Sequence, residues 1–153
     1  MQKNINIQNK KARFQFEILD KFVAGIQLTG TEIKSIRLSK ARITESFCEF
    51  NDRGELFIVN MYIQEYMFGH HFNHKPKSER RLLMNKRELR SLKKDVEAKG
   101  NTIVPLRLFI NDRGFAKLEI ALAKGKQTHD KREVIKDRDN KRDLARIKKS
   151  FNS

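Results

Sequence analysis

The sequence predicts a mainly β fold: a closed antiparallel barrel of the OB type, with about six strands and short helices. Two segments carry the same hairpin signal, in which the turn sequence Asn-Asp-Arg-Gly separates two apolar stretches. A third observation is the alternation after the second turn, where Lys117 and Glu119 separate the apolar residues Ala116, Leu118 and Ile120. A chain of 153 residues fits one domain, and closure into a barrel would remove exposed strand edges.

The hairpins account for four of the predicted strands. Strands at 46–50 and 55–59 flank the first turn at 51–54, and strands at 106–110 and 115–122 flank the second at 111–114. The repeated turn sequence reflects either chance or shared turn chemistry. A further strand pair is predicted at 14–19 and 22–28, with Ala24, Ile26 and Leu28 pointing inward.

Two helices are predicted between the strands. Thr31 is expected to cap the first, at 32–38. Asn85 is expected to cap the second, with Glu88 completing a capping box and Gly100 ending the helix.

The charge divides the chain into two parts, a folded domain at 1–123 and a basic tail at 124–153. The tail carries 11 of the 34 basic residues but 5 of the 19 acidic ones. Its apolar residues are too few for a core, yet four of them fall on one helical stripe: Ile135, Leu144, Ile147 and Phe151. We expect a tail that is disordered when free and helical on a partner, with a merely solvated basic appendage as the alternative.

A net charge of +15 points to a polyanionic partner, nucleic acid before membrane. In the last strand Lys117 and Glu119 point outward between buried neighbours, and Arg107 points outward on the strand before it. Such a basic sheet surface suits a phosphate backbone, particularly if Lys10, Lys11 and Arg13 lie near it. Ordinary solubilising charge is the alternative for each residue.

Catalysis and cofactors are not expected. His70, His71 and His74 share one loop but lack a visible fourth metal ligand, so an aromatic, basic loop is the simpler interpretation. A metal-dependent nuclease built on His129, Asp137 and Asp139 would sit in a tail that cannot preorganise a site. The single Cys48 has no visible activating base, which favours a buried structural thiol.

No apolar run is long enough to span a membrane, and the first residues lead into no apolar stretch, so we expect no secretory signal. With one cysteine and no disulfide, the expected location is the cytoplasm.

Five further segments are distinctive when taken together: 9–13, 22–37, 81–89, 104–108 and the characteristic tail segment 123–132. They closely resemble the small protein B (SmpB, SsrA-binding) family, the tmRNA-binding proteins of bacterial trans-translation. The resemblance covers about residues 8–150. It implies an OB-type barrel with three helices, no catalysis, and binding to the tRNA-like domain of tmRNA.

The resemblance also implies delivery of alanyl-tmRNA to stalled ribosomes. The tail would enter the decoding centre and the empty mRNA channel, becoming helical there. The implied partners are tmRNA and the small ribosomal subunit, including 16S rRNA at the decoding centre, with the protein acting as a monomer.

Two sets of site residues follow from the charge pattern and the resemblance together. The RNA-binding set is Asn9, Lys10, Lys11, Arg13, Phe47, Leu83, Arg107 and Lys117. The decoding-site set is His129, Asp130, Lys131, Arg132 and Ile147. Phe47 stands where the family usually has Tyr. Val23 is a departure, because many members have Glu there and valine cannot accept a hydrogen bond.

Two other functions compete with this one. A ribosomal or initiation-type OB protein would bind ribosomal RNA constitutively. A metal-dependent nuclease would degrade RNA when a divalent metal is added.

Overall fold

The structure, a computed structural model, describes residues 4–125 apart from the side chain of Lys99. The strands within this range are β1 (Asn6–Gln8), β2 (Phe16–Ile26), β3 (Ala41–Arg42), β4 (Phe47–Phe50), β5 (Leu56–Val59), β6 (Tyr62–Ile63), β7 (Arg80–Leu83), β8 (Thr102–Ile110) and β9 (Ala116–Gly125). The helices are α1 (Ala12–Gln15), α2 (Gly30–Arg37) and α3 (Lys86–Lys99), with a short 3₁₀ helix at His70–Phe72.

Six strands form a ring. The order β8-β4-β5-β7-β2-β9 returns to β8, and every neighbouring pair is antiparallel. Strand β1 adds to the outer edge at β8, and β3 pairs with β6 in a separate two-stranded sheet. The predicted mainly β fold, with six strands and three helices, is confirmed.

Both predicted hairpins are present, and their common sequence reflects common turn chemistry. The Asn51 side-chain oxygen accepts hydrogen bonds from the backbone N–H groups of Arg53 and Glu55, at 3.0 and 2.9 Å. Asn111 repeats this arrangement with Arg113 and Phe115, at 3.1 and 2.9 Å. In each turn the glycine takes a positive φ, which a side chain would strain.

The predicted strand pair at 14–19 and 22–28 is wrong. The segment forms one strand, β2, which pairs with β9 from Phe16 to Gly25 across a register shift between Ile18 and Asp20. Asp20 and Lys21 resemble a turn locally, but no glycine or asparagine follows to adopt the turn conformation. Pairing with the long partner β9 therefore decides the conformation.

The first helix begins two residues earlier than predicted, and Thr29 caps it rather than Thr31. The Thr29 hydroxyl accepts from the Glu32 N–H, and the Glu32 carboxylate accepts from the Thr29 N–H at 2.8 Å, which completes a capping box. The predicted cap, Thr31, instead places its hydroxyl 2.9 Å from Nδ1 of His74.

Helix α3 follows its prediction more closely. The Asn85 side chain accepts from the Glu88 N–H at 2.8 Å, which is the first half of the predicted capping box. At the other end Gly100 takes a left-handed φ of 65°, and its N–H bonds to the carbonyl of Val96. Leu92 is fully buried against the core inside the ring.

A second, smaller apolar cluster lies outside the ring. Helix α1 covers it through Ala12, which packs with Val104, Leu106, Ala121 and Ala123. The cluster fixes the N-terminal segment against β8 and β9 and so sets where its basic side chains lie. Within the main core, burial raises the pKa of the Cys48 thiol well above its ordinary value, as expected of a structural cysteine.

A buried ion pair joins two distant parts of the chain. Nε of Arg80 on β7 lies 2.5 Å from the carboxylate of Glu32 on α2, and Arg80 also donates to the Met61 carbonyl at 2.6 Å. Loss of either charged partner would leave the other buried and uncompensated, which typically costs about 3–5 kcal/mol. The pair therefore holds β7, and the surface that it carries, in place.

Candidate nucleic-acid interface

Strand register places two rows of side chains on the outer face of the ring. The first row crosses five strands as Leu83, Gly25, Lys117, Phe109 and Asn6. The second row, one pleat away, runs Val23, Glu119, Arg107 and Gln8. We call these nine residues the outer-face surface.

Lys117 lies at the centre of the first row. Its neighbours Ala116 and Leu118 are buried, so the alternation predicted for β9 is confirmed. Within residues 4–125, the side chain of Lys117 makes no hydrogen bond and no ion pair. No carboxylate among the described residues therefore neutralises the charge of its ammonium group, which can bind a phosphate.

Leu83 and Val23 give this surface an apolar part. Their exposed fractions are 50% and 53%, whereas Leu82, next to Leu83, is buried in the core. Gly25 lies between Leu83 and Lys117 and has no side chain to cover the backbone, but the gap is narrow: a Cβ there would lie 3.4 Å from the Leu83 Cβ and 3.7 Å from Nζ of Lys117. Leu83 is thus placed to contact a base or ribose, and glycine allows close approach.

Arg107 is held in position by its neighbours. Its Nε lies 3.7 Å from the Glu119 carboxylate, and its guanidinium stands 4.1 Å from the centroid of the Phe109 ring. These two contacts hold the guanidinium in place along the sheet, and the Glu119 carboxylate neutralises part of its charge. An arginine so placed can donate hydrogen bonds to a second phosphate or stack beneath a base.

The N-terminal segment joins the outer-face surface through a groove of about 460 Å³. Lys10, Arg13, Arg107 and Glu119 line this groove, together with Asn6, Gln8, Asn9 and Leu106. The structure thus brings three of the predicted basic residues together, as an RNA-binding surface requires. Lys11 is exposed at the start of α1 but does not line the groove.

Asn9 differs from the other predicted residues because it is 7% exposed. Its side-chain amide donates to the Pro105 carbonyl at 3.0 Å, and its backbone N–H donates to Leu106 at 2.8 Å. Asn9 therefore anchors the N-terminal segment to β8. Its Oδ1 has no hydrogen-bond partner among the described residues.

Phe47 lies apart from these rows. It is 40% exposed on β4 and pairs with Val59 of β5. Strand β4 meets β8 at Cys48 and Ile103, four residues from Arg107, so Phe47 is not brought next to Lys117. The predicted decoding-site residues, His129, Asp130, Lys131, Arg132 and Ile147, lie outside the described residues, as does most of the predicted tail.

Six of the nine residues of the outer-face surface were not predicted as site residues: Asn6, Gln8, Val23, Gly25, Phe109 and Glu119. Gly25 could have been predicted from the sequence, since an isolated glycine within a strand often marks a place where a ligand or another backbone approaches closely. Val23 was recognised as a departure from the family, and it lies opposite Glu119 in the second row.

The three loop histidines do not converge. His70 and His71 are exposed, whereas His74 is buried, and its Nε2 donates to the Ile63 carbonyl at 2.9 Å. His74 is therefore structural. Across residues 4–125 there is no group of three or more metal-ligating side chains, and no helix there is long and apolar enough to cross a membrane.

Known proteins resemble this chain over nearly its whole length. The family model described as SmpB protein matches residues 6–150. An SsrA-binding protein of Flavobacterium psychrophilum is 68% identical over 99% of this chain and 100% of its own length. The SsrA-binding protein of Bacteroides thetaiotaomicron is 52% identical over 95% and 97%.

A solved structure described as tmRNA-SmpB and the bacterial ribosome contains a chain with the same fold. It superposes with a TM-score of 0.68 at 44% identity, covering 86% of this chain and 94% of that one. The family model over residues 6–150, the relatives and the structural match agree, and the chain belongs to the SmpB family.

Proposed function

We propose that this chain is an RNA-binding adaptor that binds the tRNA-like domain of tmRNA through its outer-face surface. The observation that carries the proposal is Lys117, which lies between Gly25 and Phe109 in the first row and whose side chain has no hydrogen-bond or ion-pair partner among residues 4–125. The relatives named SsrA-binding protein and the tmRNA-SmpB structure support this choice of RNA.

Each part of the surface has a separate task in this proposal. Lys117 meets one phosphate, and Lys10, Arg13 and Arg107 around the N-terminal groove meet others. Leu83 and Val23 contact a ribose or base that approaches the open backbone at Gly25. Glu119, opposite Val23, can accept a hydrogen bond from a 2′-hydroxyl, which valine cannot.

The remaining parts of the proposal concern assembly. The six-stranded ring is a closed barrel of the OB type, and the domain ends near residue 125 because β9 continues to Gly125. The protein acts in the cytoplasm as a monomer, without a cofactor, and delivers alanyl-tmRNA to stalled ribosomes. Residues 126–153 form the tail, which is disordered when free and helical in the empty mRNA channel.

The experiment that tests the choice of RNA is sequencing of the RNA that co-purifies with the full chain from cells. One discrete tmRNA species is expected. Ribosomal RNA in fixed proportion to the protein would instead indicate a constitutive ribosomal protein and overturn the proposal. Degradation of added RNA that depends on a divalent metal would indicate a nuclease.

A further inference from the structure

A second basic groove lies on the other side of β7 from Lys117. It has a volume of about 650 Å³ and runs between the β4–β5 turn, strands β5 and β7, and the first turns of α3. Buried Leu56 and Leu82 line it with half-buried Leu89. Its charged lining residues are Arg53, Glu55, Arg81, Lys86, Arg90 and Lys93.

The charge of this groove is strongly one-sided, with five cations against one carboxylate. That carboxylate, Glu55, is already engaged: it accepts from the Asn51 amide at 2.8 Å and lies 3.0 Å from Nη1 of Arg81. These contacts, the Asn51 hydrogen bond first and then the positive charge of Arg81, hold the pKa of Glu55 below its ordinary value. Glu55 therefore stays ionised near neutral pH and offsets Arg81, and Lys93 pairs with Glu97 at 3.9 Å. Three groove cations remain without a carboxylate partner among the described residues: Arg53, Lys86 and Arg90.

The groove continues from the outer-face surface. Arg81 and Leu83 lie two residues apart on β7 and point to the same side, so their Cα atoms are separated by roughly 7 Å. Leu83 pairs with Gly25, while Arg81 pairs with Phe57 of β5, the strand that leads back into the groove. One RNA backbone that crosses Lys117 and Leu83 would meet Arg81 next.

We propose that this groove binds the phosphate backbone of the same RNA that lies on the outer-face surface, extending its footprint over β7 to α3. The inference rests on the proposed function for the identity of that RNA. Lysine and arginine on three separate elements face one open channel, which is the arrangement that follows a sugar–phosphate backbone without reading its sequence. The β4–β5 turn supplies Arg53, and α3 supplies Lys86, Arg90 and Lys93.

The duplicated turn provides a matched control. Arg53 and Arg113 occupy the same position in turns with the same hydrogen bonds, but only Arg53 lines the groove. On α3, Arg90 lines the groove, whereas Lys94 is exposed and does not. The double substitutions Arg53→Ala/Arg90→Ala and Arg113→Ala/Lys94→Ala therefore remove equal charge from the same kinds of element.

The test is equilibrium binding of both full-length double variants to tmRNA over a range of salt concentrations, with melting temperatures as a check on folding. The groove variant is expected to bind at least about tenfold more weakly than the control variant, with a salt slope lower by about 2, one for each lost phosphate contact. Equal affinities of the two variants would overturn the inference.

A second binding experiment distinguishes tmRNA from ribosomal RNA as the ligand of this groove. The same variants are titrated against purified small ribosomal subunits. A loss confined to the subunits, with tmRNA binding unchanged, would also overturn the inference. If the unsubstituted chain itself failed to bind tmRNA, the proposed function would fail first, and that outcome is distinguishable from failure of the groove alone.

Discussion

Replacing Lys117 by alanine is expected to weaken RNA binding while leaving the fold intact. The Lys117 side chain has no hydrogen-bond or ion-pair partner among residues 4–125, so its loss leaves no described group unpaired, and the backbone pairing of β9 with β2 and β8 is retained. A surface substitution of this kind typically changes the free energy of unfolding by about 0.5 kcal/mol or less.

The expected loss of affinity is larger. A hydrogen bond to a charged group is worth about 1.5–3 kcal/mol, and every 1.4 kcal/mol changes the dissociation constant about tenfold. The Lys117→Ala variant should therefore bind the tRNA-like domain of tmRNA roughly 10- to 100-fold more weakly, with a salt slope lower by about 1. Lys117→Arg should keep most of the affinity because it keeps the charge.

Lys124 offers a matched control on the same strand. It is exposed, seven residues along β9, and alternation points it to the opposite face from Lys117. Filter binding and thermal melting of both alanine variants separate the possibilities. A melting temperature many degrees lower for Lys117→Ala would make Lys117 structural. Equal losses of affinity in the two variants would show that net charge, rather than the outer-face surface, determines binding.

Two further predictions concern the open backbone and the tail. The Gly25→Val variant should fold, because a Cβ at this position lies 3.4 Å from the Leu83 Cβ and the backbone φ is not strained. It should nevertheless bind tmRNA at least about tenfold more weakly, because the valine side chain fills the space beside Lys117. Wild-type affinity in a filter-binding assay would show that RNA does not approach the backbone at Gly25. Replacing Asp130, Lys131 and Arg132 together by alanine should leave tmRNA binding near normal and abolish peptide tagging on stalled ribosomes in a reconstituted assay, as should Ile147→Asp. Full tagging by the triple variant would reduce the tail to a basic appendage.

The parts of the fold that sequence could predict are those determined locally. The two Asn-Asp-Arg-Gly turns form because an asparagine side chain bonds to backbone groups within four residues of it. Likewise Asn85 and Gly100 mark the ends of α3 by their own conformations. Such features need no knowledge of the rest of the molecule.

The incorrect or missing parts depend on distant partners. Strand β2 is continuous because β9, about a hundred residues later, pairs with both of its halves. Arg80 and Glu32 are 48 residues apart, and no local pattern indicates their ion pair. The charge pattern predicted Arg107 and Lys117, but the strand register is needed to place Gly25 and Leu83 beside Lys117.

The central claim, that the folded body carries the main RNA site, is tested most directly with a chain truncated after Gly125, the last residue of β9. Its affinity for the isolated tRNA-like domain of tmRNA is compared with that of the full chain by filter binding at several salt concentrations. The truncated chain is expected to keep most of the affinity, and Lys117→Ala should weaken it as much as in the full chain. Removing distant positive charge should change the affinity only a few-fold, so a loss on the order of 100-fold on truncation alone would place the main RNA site in residues 126–153.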